Sequence, residues 1–155
     1  MEYKNEIAWV KLMLVKDGSR PATMEKTVIS SKDVYLLATK TLQAYFSGHD
    51  REEFIIIGLD GKNRLQFLNS VSMGCLTSSI VHPREVFKPA ILGNAVSLIL
   101  CHNHPSGDPT PSQEDISITS KLVAAGELLG IKILDHIIIG DDKYVSFADT
   151  GLIQI

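Results

Sequence analysis

Residues 95–115 read AVSLILCHNHPSGDPTPSQED, and three structural signals follow one another there without a gap. The run from Ala95 to Cys101 is short, apolar and rich in branched side chains, which predicts a buried strand. Residues 105–111, PSGDPTP, are dense in proline and glycine and predict an irregular loop. Ser112 with an acid three residues later, Asp115, is a helix-start signature. Apolar residues then recur at Ile116, Ile118, Leu122, Val123 and Leu128, so the helix should end near Gly130. A buried strand followed by a helix belongs to a layered α/β fold.

Working outward, IKILDHIIIG (131–140) predicts a further strand, with KYVSFAD (143–149) as its partner across the turn Gly140-Asp141-Asp142. Upstream, Pro83 opens a helical stretch through REVFKPAILGNA, which Pro89 should kink or divide. Before it, FIIIGLD and RLQFLNSVSMG flank the turn Asp60-Gly61 and predict a hairpin. Its first strand is almost continuously apolar and therefore central, with Glu53 at its leading edge. Val34, Leu37, Ala38 and Leu42 fall on one face of a helix that starts after Ser30-Ser31 and runs to about Phe46, with Gly48 as its stop. Ile7 to Val15 reads as an edge strand or hairpin arm ended by Asp17-Gly18-Ser19. Strands interleaved with about three helices give an α/β sandwich on a mixed sheet.

The chain has 155 residues, 45% of them hydrophobic, which suits one compact domain with a proper core. Two cysteines, Cys75 and Cys101, are too few for a disulfide framework or a cysteine metal site, and both read as reduced buried thiols. No apolar run has the length of a membrane span, and the amino terminus mixes charges into its apolar stretch, so a soluble cytoplasmic protein is expected. A net charge of -3 makes nucleic acid no default partner, although Lys62, Arg64, Arg84 and Lys88 could form a local basic patch.

Chemistry concentrates in the quoted stretch. Side chains alternate along a strand, so His102 and His104 point to the same side. A catalytic zinc takes three protein ligands and leaves one position for water, and Asp115 in the first turn of the next helix can fold back as the third. Such a site lowers the pKa of its water to roughly 7 and polarises a carbonyl, which suits acyl hydrolysis. Ser112 could aim its hydroxyl at a developing oxyanion, and a carboxylate outside the metal shell must move the proton. Blander readings stand beside these. A histidine pair can be an ordinary hydrogen-bonded strand end, and Asp115 is where a capping box places its acid. The two readings of Asp115 compete, because a carboxylate turned to a metal should not also reach its own cap.

HNHPSGDPTPSQED (102–115) resembles the JAMM (MPN+) motif, His-x-His-Pro followed by Ser-x-x-Asp. More narrowly, VHPREVFKPAILGNA, CHNHPSGDPTPSQEDISIT and LLGIKILDHIIIG are similar to the RadC family, a likeness spanning roughly Asp50 to Leu152. The resemblance implies a JAMM/MPN domain, a curved mixed β-sheet flanked by about three helices as in cytidine deaminases. It also implies one zinc per chain on His102, His104 and Asp115, Ser112 supporting a tetrahedral intermediate, and an upstream glutamate relaying protons. Glu53 in EEFIIIGLD matches that glutamate best; Glu52 is its adjacent rival, whose side chain should point the other way, and Glu85 ranks third. Asn103 stands where many JAMM proteases have serine or threonine. Full-length RadC proteins carry a helix-hairpin-helix region, of which the first fifty residues here show no sign.

His136 could orient the site from behind a ligand, His82 could line the cleft or be a turn residue, and His49 reads as an exposed loop residue. Three functions follow as expectations: a zinc-dependent peptidase or isopeptidase acting on a peptide or isopeptide substrate, a nucleic-acid repair accessory, and a non-catalytic interaction module. The strand at Ile7 to Val15 could also receive a partner or an extended substrate by strand addition.

Overall fold

Two strands of the protein are buried along their whole length, and they organise everything else. The structure, a computed structural model, describes residue 13 and residues 27–41, 51–74 and 81–153. The elements in chain order are α1 (Ser31–Thr41), β1 (Glu53–Leu59), β2 (Leu65–Met73), α2 (Pro83–Leu92), β3 (Ser97–Asn103), α3 (Gln113–Leu129), β4 (Lys132–Ile139) and β5 (Tyr144–Ser146). The expected strand at Ile7 to Val15, the turn after it, His49, Cys75 and the helix beyond Thr41 lie outside the described residues.

The five strands form one mixed sheet in the order β2-β1-β3-β4-β5. β1 pairs antiparallel with both β2 and β3, β3 runs parallel to β4 across the α3 connection, and β5 returns antiparallel on β4. β1 and β3 therefore have helices over both faces, which is why their sequences are nearly continuously apolar. Alternation sorts their side chains into two cores. Phe54, Ile56, Leu98 and Leu100 pack with Phe87 and Ala90 of α2 and Leu122 of α3. Ile55, Ile57, Ile99 and Cys101 face the other way, with Ile137 and Ile139, toward Val34 and Leu37 of α1.

The α/β sandwich read from the sequence is thus present, with three helices among the described residues. Pro89 does not divide α2, contrary to expectation: the helix runs unbroken to Leu92 and stops at Gly93, whose N–H bonds to the Pro89 carbonyl. The N–H that Pro89 lacks would have met the Glu85 carbonyl one turn back, and the ladder resumes beyond it with the Gly93 N–H on the Pro89 carbonyl. The chain then turns through Asn94, at φ 51°.

One irregularity matters for the site. Leu98 pairs with Ile133, but Ile99 pairs with Asp135, so Leu134 is an extra residue in β4. Beyond this bulge His136, not Asp135, lies across from Leu100 and shares the face of Leu98, Leu100 and His102. Among the described residues no helix is long and apolar enough to cross a membrane.

Candidate metal centre

The site is assembled where β3 ends and α3 begins. His102 is the sixth residue of β3, fully buried, and its ring stacks on Phe54 of β1 with centroids 5.9 Å apart. His104 lies just past the strand end, anchored by its N–H to the Ile139 carbonyl, and is partly exposed. The loop that follows is held against the turn after β4: the Asp141 N–H bonds to the Gly107 carbonyl, and a side chain at Gly140 would collide with that carbonyl. The loop thereby returns the chain to Ser112, the N-cap of α3.

Asp115 has an oxygen for each of the two roles that seemed to compete. Its Oδ2 accepts from the Ser112 N–H at 2.8 Å and the Ser112 hydroxyl at 2.6 Å, while its own N–H donates to Ser112 Oγ, completing a capping box. Its Oδ1 is buried without a hydrogen bond and lies 3.3 Å from His102 Nε2. The expectation of exclusivity fails because a carboxylate has two oxygens, and one suffices for the cap.

His102 Nε2 and His104 Nε2 are 3.0 Å apart, and Asp115 Oδ2 is 3.5 Å from His104 Nε2. The two edges that share His102 Nε2, 3.0 Å to His104 Nε2 and 3.3 Å to Asp115 Oδ1, can be compared with a zinc tetrahedron. At Zn–N and Zn–O bonds of about 2.0–2.1 Å, neighbouring ligand atoms should stand about 3.3 Å apart. The three residues can therefore hold a metal ion, and their ligand atoms all lie within 4.8 Å of one another. Proton bookkeeping agrees for His104: its Nδ1 lies 2.7 Å from the Asp108 carbonyl, which can only accept, so Nδ1 carries a proton and in the neutral ring Nε2 is free to act as a ligand atom. The hydrogen bond to Asp115 raises the His104 pKa against the effect of burial, with the Asp108 carbonyl and the charges of Asp115 and Glu52 adding to the rise. Burial pushes Asp115 upward, yet the adjacent rings of His102 and His104, with Ser112, hold it well below the usual carboxylate range.

His136 stands directly behind His102, Nε2 to Nδ1 at 2.8 Å, and is fully buried against Phe54 and Phe147. Burial, with His102 beside it, holds its pKa well below the ordinary value, so the ring is neutral. The expectation that it supports the site from behind agrees with this geometry. His82 instead takes the N-cap of α2, and Glu85 pairs with Lys88 and Arg84 on the surface of that helix. Burial pushes the Cys101 thiol up to about 12, in keeping with an inert core residue.

The glutamates are placed by the β1–β3 register. Phe54 pairs with His102, and the Glu53 N–H donates to Asn103 Oδ1 at 2.8 Å. Alternation sets Glu53, fully buried, on the side of the sheet opposite His102. Two places beyond the Phe54–His102 pair, Glu52 lies across from His104 on the metal side, half-buried, and its charge acts on that ring. Asn103 was read from sequence only as a departure from a motif. Here its amide grips the chain on both sides of Glu52, accepting from Glu53 N–H and donating to the Arg51 carbonyl at 3.2 Å.

An α/β domain with a mixed sheet, carrying a His-x-His strand end and a helix-start aspartate that converge on one metal-sized space, defines the class of this protein. The chain belongs to the RadC-like JAB domain family, whose model matches residues 28–152. Relatives include a UPF0758 protein of Methanosarcina acetivorans, 52% identical over 130 residues, which cover 84% of this chain and 55% of the relative. Another, from Geotalea uraniireducens, is 57% identical over 107 residues, 69% of this chain and 47% of the relative. A third, from Pelobacter propionicus, is 58% identical over 103 residues, 66% and 45% respectively. The chain spans about half the length of the curated relatives it matches.

Proposed function

We propose that this domain is a zinc-dependent hydrolase of peptide or isopeptide bonds, with Glu52 in place of Glu53 as the proton carrier. The observation that carries the reading is the convergence of two imidazole nitrogens and one unbonded carboxylate oxygen at zinc-ligand spacing, beside a partly exposed carboxylate. A zinc ion held there supplies Lewis acidity and makes water nucleophilic near neutral pH.

The chain's own residues supply the rest. His102, His104 and Asp115 bind and orient, and Ser112 keeps Asp115 aligned through its hydroxyl. Glu52 takes a proton from the attacking water and delivers it to the departing amine nitrogen, so that the C–N bond breaks to a carboxylate and an amine. Asn103 holds the backbone that aims it. The proton carrier must exchange protons with water between turnovers, which favours half-buried Glu52 over fully buried Glu53.

Elemental analysis of protein purified without a metal-affinity tag should find about one zinc per chain by the coordination argument, lost in His104→Ala and Asp115→Ala. On a panel of fluorogenic peptides and lysine-linked isopeptides, Glu52→Gln should keep zinc and lose on the order of 10²–10⁴ in rate, while Glu53→Gln keeps turnover. The reverse pattern would return the role to Glu53. Wild-type protein that takes up no zinc after reconstitution ends the hydrolase reading.

A further inference from the structure

Thr119 lies one turn into α3 beyond Asp115 and is fully buried. Its Oγ1 is 2.5 Å from the Asp115 backbone carbonyl and 2.6 Å from His136 Nδ1. A hydroxyl has one proton, and a carbonyl oxygen can only accept, so the short contact to Asp115 consumes that proton. Toward His136 the hydroxyl oxygen must then accept, which places a proton on His136 Nδ1. With one proton on the ring, His136 Nε2 is an acceptor and can only receive the Nδ1 proton of His102, 2.8 Å away. His102 is left with a bare Nε2, the atom that faces His104 and Asp115.

We infer that Thr119 is a positioning residue that sets the tautomers of His136 and His102 through a one-way hydrogen-bond chain and so keeps the metal-facing nitrogen of His102 unprotonated. The chain starts and finishes on ligands, since Asp115 gives the carbonyl at one end and His102 the ring at the other. It makes the site ready for a cation before any cation arrives, because no proton has to move from His102 Nε2. The β4 bulge at Leu134 is part of the device, since without the extra residue Asp135 would lie across from Leu100 in place of His136.

This rests on the metal-site reading for its purpose but not for its test, which begins with metal-free protein. Long-range ¹⁵N–¹H correlation of the histidine rings should find His102 and His136 both protonated at Nδ1 and bare at Nε2. A proton on His102 Nε2 overturns the inference whether or not the protein binds metal. Zinc affinity, measured by competition with a chromophoric chelator, should fall on the order of ten- to a hundredfold in Thr119→Val and return in Thr119→Ser. The ring signals of His102 should move toward a tautomer mixture in the valine variant alone. Unchanged affinity and unchanged ring signals in Thr119→Val would discard the relay while leaving the metal site standing. If Thr119→Val fails to fold, the wild-type ring spectrum and the serine variant still decide.

Discussion

At the scale of single residues, Ser112 links stability to the site. Its hydroxyl donates to Asp115 Oδ2 and accepts from the Asp115 N–H, so Ser112→Ala removes a helix cap and unties a ligand together. Loss of the cap should cost about 1 kcal/mol in metal-free protein, read from urea unfolding. Zinc affinity should drop as well, because Asp115 regains rotamer freedom; the glycine variant, which caps almost as well, should restore stability without restoring affinity. Cys101 offers a pH test. Its raised pKa, about 12 and caused first by burial and then by Asp135, keeps the thiol protonated well above neutrality. In a Cys75→Ser background, iodoacetamide at about pH 8 should leave folded protein unlabelled and label it only in denaturant. Labelling of the folded state would mean that the β3 core opens on the time of the assay.

Among the elements, α3 is the most constrained. It begins with the capping box and ends at Gly130, at φ 70°. Inside it Gly126 breaks the helical rule that disfavours glycine, and the cause is the return of the chain: a Cβ there would stand 2.5 Å from the Ile131 carbonyl oxygen. Gly126→Ala should therefore destabilise the protein, although helix propensity alone would gain about 1 kcal/mol. A higher urea midpoint for the variant would show that the α3–β4 connection yields easily. Strand β3 supplies ligands at its end for a similar reason of position. Its interior is closed by helices on both faces, and only its last residues meet the partly exposed loop that follows.

For the whole molecule, a metal held by His102, His104 and Asp115 would act on the same joint as the packing, since these residues bring the end of β3 to the start of α3. Zinc should raise the melting temperature in proportion to the logarithm of its concentration, and chelation should abolish that rise. Protons compete with metal for the imidazole nitrogens, and the raised pKa of His104 means that zinc affinity should begin to fall above the ordinary histidine value of about 6.5 as pH drops. A pH-independent affinity down to about pH 5 would exclude histidine ligation. Much of this arrangement was legible beforehand, from particular signals. Continuous apolar runs marked β1 and β3, the serine–aspartate spacing marked the start of α3, and period-two alternation put both histidines on one side. Those signals are local, because pleat, helical turn and cap are set within a few residues of chain. Three features were decided only by tertiary structure. The bulge at Leu134 selected His136 over Asp135, the β1–β3 register turned Glu52 toward His104 and Glu53 away, and the fold gave Asp115 a different neighbour for each of its oxygens. Register between strands distant in sequence depends on cores packed from several elements at once, and a shift of one residue reverses the face of every side chain that follows.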